Sequence, residues 1–164
     1  MPRSDYCTVV LDGNEKVLVK CAKDAPPPKR AGAPRKNRDG SRKRNKPHSN
    51  GRFFACCPNT GRILRVSPLD APENNKAAIE RIKAVVNKHK RISCVVYDRA
   101  CKIAQTCRKD PSLRRVRHYA RDKTHGRRHA ASCERNPHYV SHLRKRLEEV
   151  NTEIAEQTFA RLRG

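Results

Sequence analysis

The sequence has few aromatic side chains and few acids. It contains no Trp, three Phe and four Tyr, so aromatic residues make up 4% of its 164 residues. We therefore expect a modest hydrophobic core built on Val, Ile, Leu and Ala, which suits one domain and excludes a large enzyme. Sixteen Asp and Glu residues stand against 39 Lys and Arg residues, which gives a formal charge of +23. A charge of this sign and size indicates a polyanionic partner, and nucleic acid is the expected one.

Long apolar runs are missing too. No stretch approaches the roughly 20 residues of a transmembrane helix, and the opening MPRSDYCTVV lacks the basic and then apolar order of a signal peptide. We expect a soluble intracellular protein with no membrane partner. In that compartment the eight cysteines are expected to be thiols or metal ligands rather than disulfides.

The first part of the chain has the pattern of β-hairpins. Short β-prone runs separated by turn residues predict two of them, over 7–11 with 16–20 and over 52–57 with 62–66. In the first hairpin Asp12-Gly13 is the expected turn, which puts Asp12 at the end of a strand. Residues 23–51 are rich in Lys, Arg and Pro with little to bury, and they predict a disordered basic insertion.

Helical periodicity begins after the second hairpin. Asp70 is the expected N-cap of a helix over 71–89, because proline and an acid follow it in the first turn. The nearly continuous apolar run 92–98 predicts a strand buried on both faces, as in the centre of a mixed sheet. Residues 101–142 have no clear period. From 141 to 164 an apolar stripe at helical spacing predicts one last helix.

Two acids follow apolar strands directly. Asp12 follows CTVVL and Asp98 follows ISCVVY, so both are expected at the ends of core strands. Carboxylates from adjacent strand ends can converge, and such a pair favours a Mg²⁺ or Mn²⁺ site with oxygen ligands. Glu156 or Glu153 on the last helix can complete it. The alternative is that Asp12 is a turn residue, Asp98 caps the next helix and both glutamates lie on a solvated face.

This order of elements is that of ribonuclease H-like nucleases, and four segments carry a closer resemblance. They are CTVVLDGNEKVLVKC, VVYDRAC, DKTHGRRHAASCERNPHY and NTEIAEQTFARLRG. Together they resemble the eukaryotic transposases of the KDZ type (Kyakuja, Dileera, Zisupton), whose YD-x-AC, D-x-x-H and N-x-E-x-x-EQ-x-F elements occur in this order. The resemblance implies an α/β fold, a ribonuclease H-like mixed sheet with flanking helices. We expect a single, truncated domain over 1–164, with a basic disordered insertion at 23–51 and a His/Cys-rich insertion at 101–140.

The resemblance also implies an activity. Asp12 and Asp98 look like the two catalytic aspartates of the family and Glu156 like its catalytic glutamate, with Glu153 as the alternative. The implied chemistry is cleavage and joining of DNA strands that depends on Mg²⁺ or Mn²⁺ held by this triad. Family members extend beyond both ends of this sequence, so an inactive fragment is the competing expectation.

A second metal site is indicated by His125, His129 and Cys133, spaced H-x3-H-x3-C. On a helix, positions four apart share a face, and imidazole with thiolate suits tetrahedral Zn²⁺. Cys107 and Cys101 are equally good candidates for the fourth ligand, and His118 is a third. The alternative is that these histidines belong to a solvated basic face.

Basic residues predict two further roles. Lys29-Arg30 and the basic run that ends at Lys46 have the form of a two-part nuclear import signal, so we expect the import machinery as a partner and the nucleus as the location. A second basic set is expected to contact DNA phosphates: Arg108, Lys109, Arg114, Arg115, Arg117, Arg121, Arg127 and Arg128. The alternative function is a non-catalytic, zinc-containing protein that binds nucleic acid through this surface. Oligomerisation is left open.

Overall fold

A five-stranded mixed sheet forms the centre of the computed structural model, which describes residues 8–14, 51–69 and 74–162. The strands are β1 (Thr8–Asn14), β2 (Arg52–Cys56), β3 (Ile63–Pro68), β4 (Cys94–Tyr97) and β5 (His118–Ala120). Their order across the sheet is β3-β2-β1-β4-β5. The first three pair antiparallel, whereas β4 runs parallel to both β1 and β5. The α/β class predicted from the sequence is confirmed.

Strand β1 is longer than its sequence suggests. Asp12, Gly13 and Asn14 continue the strand and pair with β2, opposite Phe54, Phe53 and Arg52. The predicted hairpin turn at Asp12-Gly13 is therefore wrong, because pairing with β2 keeps this segment extended. The predicted strand over 16–20 lies outside the described residues, as does the basic segment except for its last residue.

The second predicted hairpin is confirmed. Strands β2 and β3 pair antiparallel, with an irregularity in register at Ala55 and Cys56. The turn between them closes where the Gly61 N–H donates to the Cys57 carbonyl over 2.9 Å. Gly61 has φ of 68°, a conformation that residues with a Cβ seldom adopt. Glycine at this position therefore sets the hairpin geometry.

Helix α1 (Asn75–Lys88) starts later than predicted. Its N-cap is Asn74, whose side-chain oxygen accepts from the Ala77 N–H over 2.9 Å, so the prediction of Asp70 as the cap is wrong. Asp70 itself lies outside the described residues. The apolar face is as the periodicity predicts, and it is buried: Ala78, Ile79, Ile82, Val85 and Val86.

The segment without clear period contains regular elements. Helix α2 (Ala100–Lys109) and a 3₁₀ turn (Pro111–Leu113) connect β4 to β5. Because β5 pairs parallel with β4, α2 is the crossover that a parallel pair requires. Treating residues 101–120 as an irregular insertion is therefore wrong, since they contribute a strand to the sheet. As predicted, all four residues of β4 are buried.

The predicted single C-terminal helix is two helices. They are α4 (Ser141–Leu147) and α5 (Ile154–Leu162), and the short α3 (Lys123–Arg127) precedes them. Asn151 ends the continuity, because its side-chain oxygen accepts from the Glu153 N–H over 3.1 Å. Side chains of this type compete with helical hydrogen bonds and favour a new start.

The helices cover the two faces of the sheet. Helices α1 and α2 pack on the face that presents Val9 and Val95, and α4 and α5 pack on the face that presents Val10 and Val96. Alternation along β1 and β4 thus fills both layers. Among the described helices, none has the length and apolar character needed to cross a membrane.

Candidate functional site

The central strand pair brings two acids to one edge of the sheet. Leu11 of β1 pairs with Tyr97 of β4 in parallel register, so Asp12 and Asp98 occupy the next position on neighbouring strands. Parallel strands end at the same edge of a sheet, and ligand sites concentrate at such edges. Both side chains line a cavity there, with about 230 Å³ of space open to solvent.

Helix α5 supplies a third acid to this cavity. Glu156 lies in the first turn of α5, and the helix packs against β1 through buried Ile154, Ala155 and Phe159. The acidic cavity is lined by Val10, Leu11, Asp12, Asp98, Asp122, His125, Thr152, Ala155 and Glu156. All three acids singled out in the sequence therefore line the same cavity.

Glu153 has a different environment from Glu156. Its carboxylate accepts a hydrogen bond from the Thr124 hydroxyl, and it is not among the side chains that line the acidic cavity. The contact joins α3 to the turn that precedes α5. Of the two alternatives from the sequence, the geometry favours Glu156 as a ligand and gives Glu153 a structural contact.

The Asp98 carboxylate is partly buried, which disfavours its charged form. Burial raises its pKa above the usual value, and the nearby charges of His125 and Arg121 and the Arg99 backbone N–H oppose that shift. Its Oδ1 atom is buried without a hydrogen-bond partner in the described part of the chain. A buried, unpartnered carboxylate oxygen beside other carboxylates fits a hard divalent cation, which takes oxygen ligands.

Asp122 and His125 also line the acidic cavity. The sequence does not predict either residue there. His125 Nδ1 donates to Asp122 Oδ2 over 2.8 Å, and the His125 backbone N–H donates to Asp122 Oδ1 over 2.8 Å. The available signal was the D-x-x-H spacing, in which an acid caps the turn that holds the histidine. The H-x3-H-x3-C spacing predicts a zinc site for His125 instead.

A second group of potential metal ligands joins helix α2 to the loop that follows α3. Ligand atoms of Cys101, His129 and Cys133 all fall within 4.8 Å of one another; we call this set the thiol-imidazole group. Two sulfurs and one nitrogen could hold a metal such as zinc, with a fourth position left for another ligand. The Arg121 guanidinium donates to the Cys101 sulfur over 3.5 Å.

This membership corrects the predicted zinc ligands. His125 is absent from the thiol-imidazole group because α3 ends at Arg127, so the helical spacing that would align it with His129 does not extend that far. Cys107 is excluded as well: it is buried, which raises its pKa to about 11, and it packs in the core between α1 and the sheet. His118 faces the His142 ring instead, with 5.9 Å between ring centroids.

One buried asparagine fixes the loop between the two sites. The Asn136 side-chain N–H group donates to the Gly126 carbonyl over 3.0 Å and to the His129 carbonyl over 3.4 Å. Gly126 leaves little room for a side chain, since a Cβ there would lie 3.0 Å from the His138 ring and 3.1 Å from the Asn136 oxygen, and these neighbours would have to shift by a few tenths of an ångström. The close approach of α3 to residues 136–138 therefore depends on glycine.

The eight basic residues predicted to bind DNA do not form one surface. Arg127 and Arg128 are exposed at the end of α3, two and three positions after the cavity residue His125. Arg117 lies at the opposite edge of the sheet, because its backbone N–H donates to the Ser93 carbonyl just before β4. Arg108, Lys109 and Arg114 are exposed on the chain that leads to that edge.

Two of the eight have internal partners. Arg115 donates to the Val86 carbonyl over 3.0 Å and to Asn87 over 2.9 Å, so it joins the 3₁₀ turn to α1. Arg121 contacts the thiol-imidazole group, as described above. Arg146 is a further basic residue in this region that the sequence does not single out. Burial lowers the pKa of half-buried His118, and the charges of Arg146 and His142 lower it further.

Comparison with known proteins gives no relatives: no family model matches the chain, and neither do any curated proteins or solved structures. The candidate sites are therefore argued from their geometry.

Proposed function

We propose that this chain is a transposase-like DNA-processing protein of ribonuclease H-like architecture, similar to the KDZ type, that cleaves and joins DNA strands. The observation that carries the proposal is the meeting of Asp12, Asp98 and Glu156, which come from three separate elements, in one cavity. The order of elements along the chain supports it, since a strand with Asp12, a helix, a strand followed by Asp98 and a late helix with Glu156 is the order noted for ribonuclease H-like nucleases.

In this mechanism the three carboxylates would hold Mg²⁺ or Mn²⁺ through their oxygens. Bound divalent cations supply Lewis acidity and lower the pKa of an attacking water or 3′-hydroxyl. Asp98 contributes a buried oxygen without a hydrogen-bond partner among the described residues, which is free to bind a cation. Arg127 and Arg128, exposed at the end of α3, are the basic residues that we expect to contact the phosphates of a DNA strand at the cavity.

The test is nicking of supercoiled plasmid in Mg²⁺ or Mn²⁺ by the full chain and by Asp12→Asn and Asp98→Asn. We expect metal-dependent nicking that both variants lose, with DNA affinity retained, because neutral side chains remove cation ligands and repel phosphate less. Wild-type protein that binds the plasmid without cutting it would contradict the catalytic proposal.

The second candidate is a non-catalytic, zinc-containing protein that binds nucleic acid, which includes an inactive fragment of a transposase. The thiol-imidazole group favours it, since Cys101, His129 and Cys133 could hold zinc whether or not the acids are active. In this case the plasmid is bound and none of the proteins cuts it. Both candidates keep DNA as the partner and the nucleus as the location, through residues 29–46, which lie outside the described part.

A further inference from the structure

His125 and Asp122 form a fixed pair in the wall of the acidic cavity. Both oxygens of the Asp122 carboxylate accept from His125, one from the ring Nδ1 and one from the backbone N–H, each over 2.8 Å. An ionised carboxylate only accepts hydrogen bonds, so Nδ1 carries the proton. In the neutral ring this bond fixes the tautomer that leaves the lone pair on Nε2.

Asp122 is held in place from behind. It is 7% exposed and caps α3, and the next residue anchors that helix. The Lys123 backbone N–H donates to the Thr152 hydroxyl over 2.9 Å, and the Lys123 ammonium donates to the Glu148 carbonyl over 2.9 Å. A fixed carboxylate behind an imidazole is the arrangement that orients a histidine toward a metal ion.

The other ring nitrogen of His125 has no hydrogen-bond partner within residues 8–14, 51–69 and 74–162. The side chain is 43% exposed and lines the same cavity as Asp12, Asp98 and Glu156. The acidic cavity therefore presents three acids and one oriented imidazole.

We propose that His125 Nε2 is a nitrogen ligand of the cation in the acidic cavity, that Asp122 is its positioning residue, and that the site prefers a first-row transition ion such as Mn²⁺ to Mg²⁺. The proposal rests on the proposed function, because Asp12, Asp98 and Glu156 supply the other ligands. Mg²⁺ is bound through oxygen and loses its water reluctantly, whereas the divalent first-row ions, of which Mn²⁺ is the weakest binder, also bind at sites that contain nitrogen. One nitrogen among the ligands therefore shifts the preference away from Mg²⁺.

The test is pulsed electron paramagnetic resonance of Mn²⁺ bound to the full chain, with one equivalent of Zn²⁺ per chain added first to fill the thiol-imidazole group. We expect a coupling between the Mn²⁺ electrons and a nitrogen nucleus in the wild type. His125→Gln should remove the coupling. His142→Gln is the matched control, since His142 is exposed on α4 beside His118 and outside the cavity, and it should keep the coupling.

Affinities measured by titration separate ligation from folding. His125→Gln is expected to weaken Mn²⁺ binding roughly tenfold or more and to leave Mg²⁺ binding nearly unchanged. Asp122→Asn should show the same selective loss to a smaller degree, because the ring loses its orientation but not its nitrogen. Equal losses for both metals in Asp122→Asn would mean that Asp122 only supports the fold.

The outcomes separate this inference from the function beneath it. Bound Mn²⁺ without nitrogen coupling, combined with nicking that needs Asp98, would overturn the inference and leave the function standing. Coupling that persists in His125→Gln would overturn it too. Wild-type protein that binds neither Mn²⁺ nor Mg²⁺ would overturn both. The wild-type spectrum decides the presence of nitrogen even where a variant fails to fold.

Discussion

The acidic cavity and the thiol-imidazole group are neighbours built in opposite ways. The cavity collects Asp12, Asp98 and Glu156 from three elements that lie far apart in the chain, so the order of strands creates it. The thiol-imidazole group joins the first turn of α2 to a loop, so closure of that loop creates it. Their ligand sets differ, because carboxylates predominate in the cavity and sulfur predominates in the thiol-imidazole group.

Near neighbours in the sequence are divided between these two sites. Asp98 lies in the cavity and Cys101, three positions later, lies in the thiol-imidazole group; His125 and His129 are divided in the same way. Spacing along the chain is thus a poor guide to membership here. The end of a helix or strand between two residues decides which site each one joins.

The largest expected effect concerns the two glutamates of the last segment. Glu156→Gln should lower metal-dependent nicking by more than about 100-fold, because it removes a proposed ligand. Loss of a residue that only supports a ligand costs up to about 100-fold. Glu153→Gln is the matched control and should retain most activity, since Glu153 contacts Thr124 and not the cavity. Plasmid nicking measures both. Equal losses in the two variants would break the distinction between them.

An intermediate effect is expected at the thiol-imidazole group. Cys133→Ser should abolish binding of one Zn²⁺ per chain, whereas His125→Ala should keep it, because His125 belongs to the other site. At Zn²⁺ a thousandfold above its Kd, binding stabilises the folded state by about 4 kcal/mol, so the thermal midpoint should fall by roughly 8–16 °C when the ligand is lost. Metal analysis and calorimetry test this. Loss of Zn²⁺ from His125→Ala would restore the H-x3-H-x3-C hypothesis.

The smallest expected effect concerns the basic residues at the two edges of the sheet. Arg127→Gln with Arg128→Gln should weaken DNA binding and make its logarithmic salt dependence shallower by about 0.9 per phosphate contact. The matched pair, Arg114→Gln with Arg117→Gln, removes the same charge at the edge remote from the cavity and should leave the slope nearly unchanged. Identical slopes for the two pairs would mean that DNA does not enter at the cavity.

Much of the sheet was predictable because its strands are short apolar runs with clear boundaries. The β2–β3 hairpin, the buried β4 and the apolar face of α1 follow from local pattern and agree with the structure. The predicted turn at Asp12-Gly13 disagrees with the structure, because pairing with β2 overrides the local turn signal. Strand β5 is not predicted by the sequence, because three residues are too few to show a period.

The candidate sites were predictable only in part, for a related reason. Placing Asp12 and Asp98 together required only that two core strands be neighbours and parallel, which the apolar runs suggest. Assigning His125 required knowing that α3 lasts for five residues, which no periodicity over so short a stretch can reveal. Choosing Cys101 over Cys107 required knowing which side of α2 faces the core.

Asn136 and Gly126 give the two sites a common weak point. The buried amide of Asn136 holds carbonyls at Gly126 and His129, one residue after the cavity histidine and at the thiol-imidazole histidine itself. A single methyl group added at Gly126 would press on that amide and disturb both histidines together. A change at this junction would therefore act on both candidate sites at once, whereas a change of one ligand residue would act on a single site.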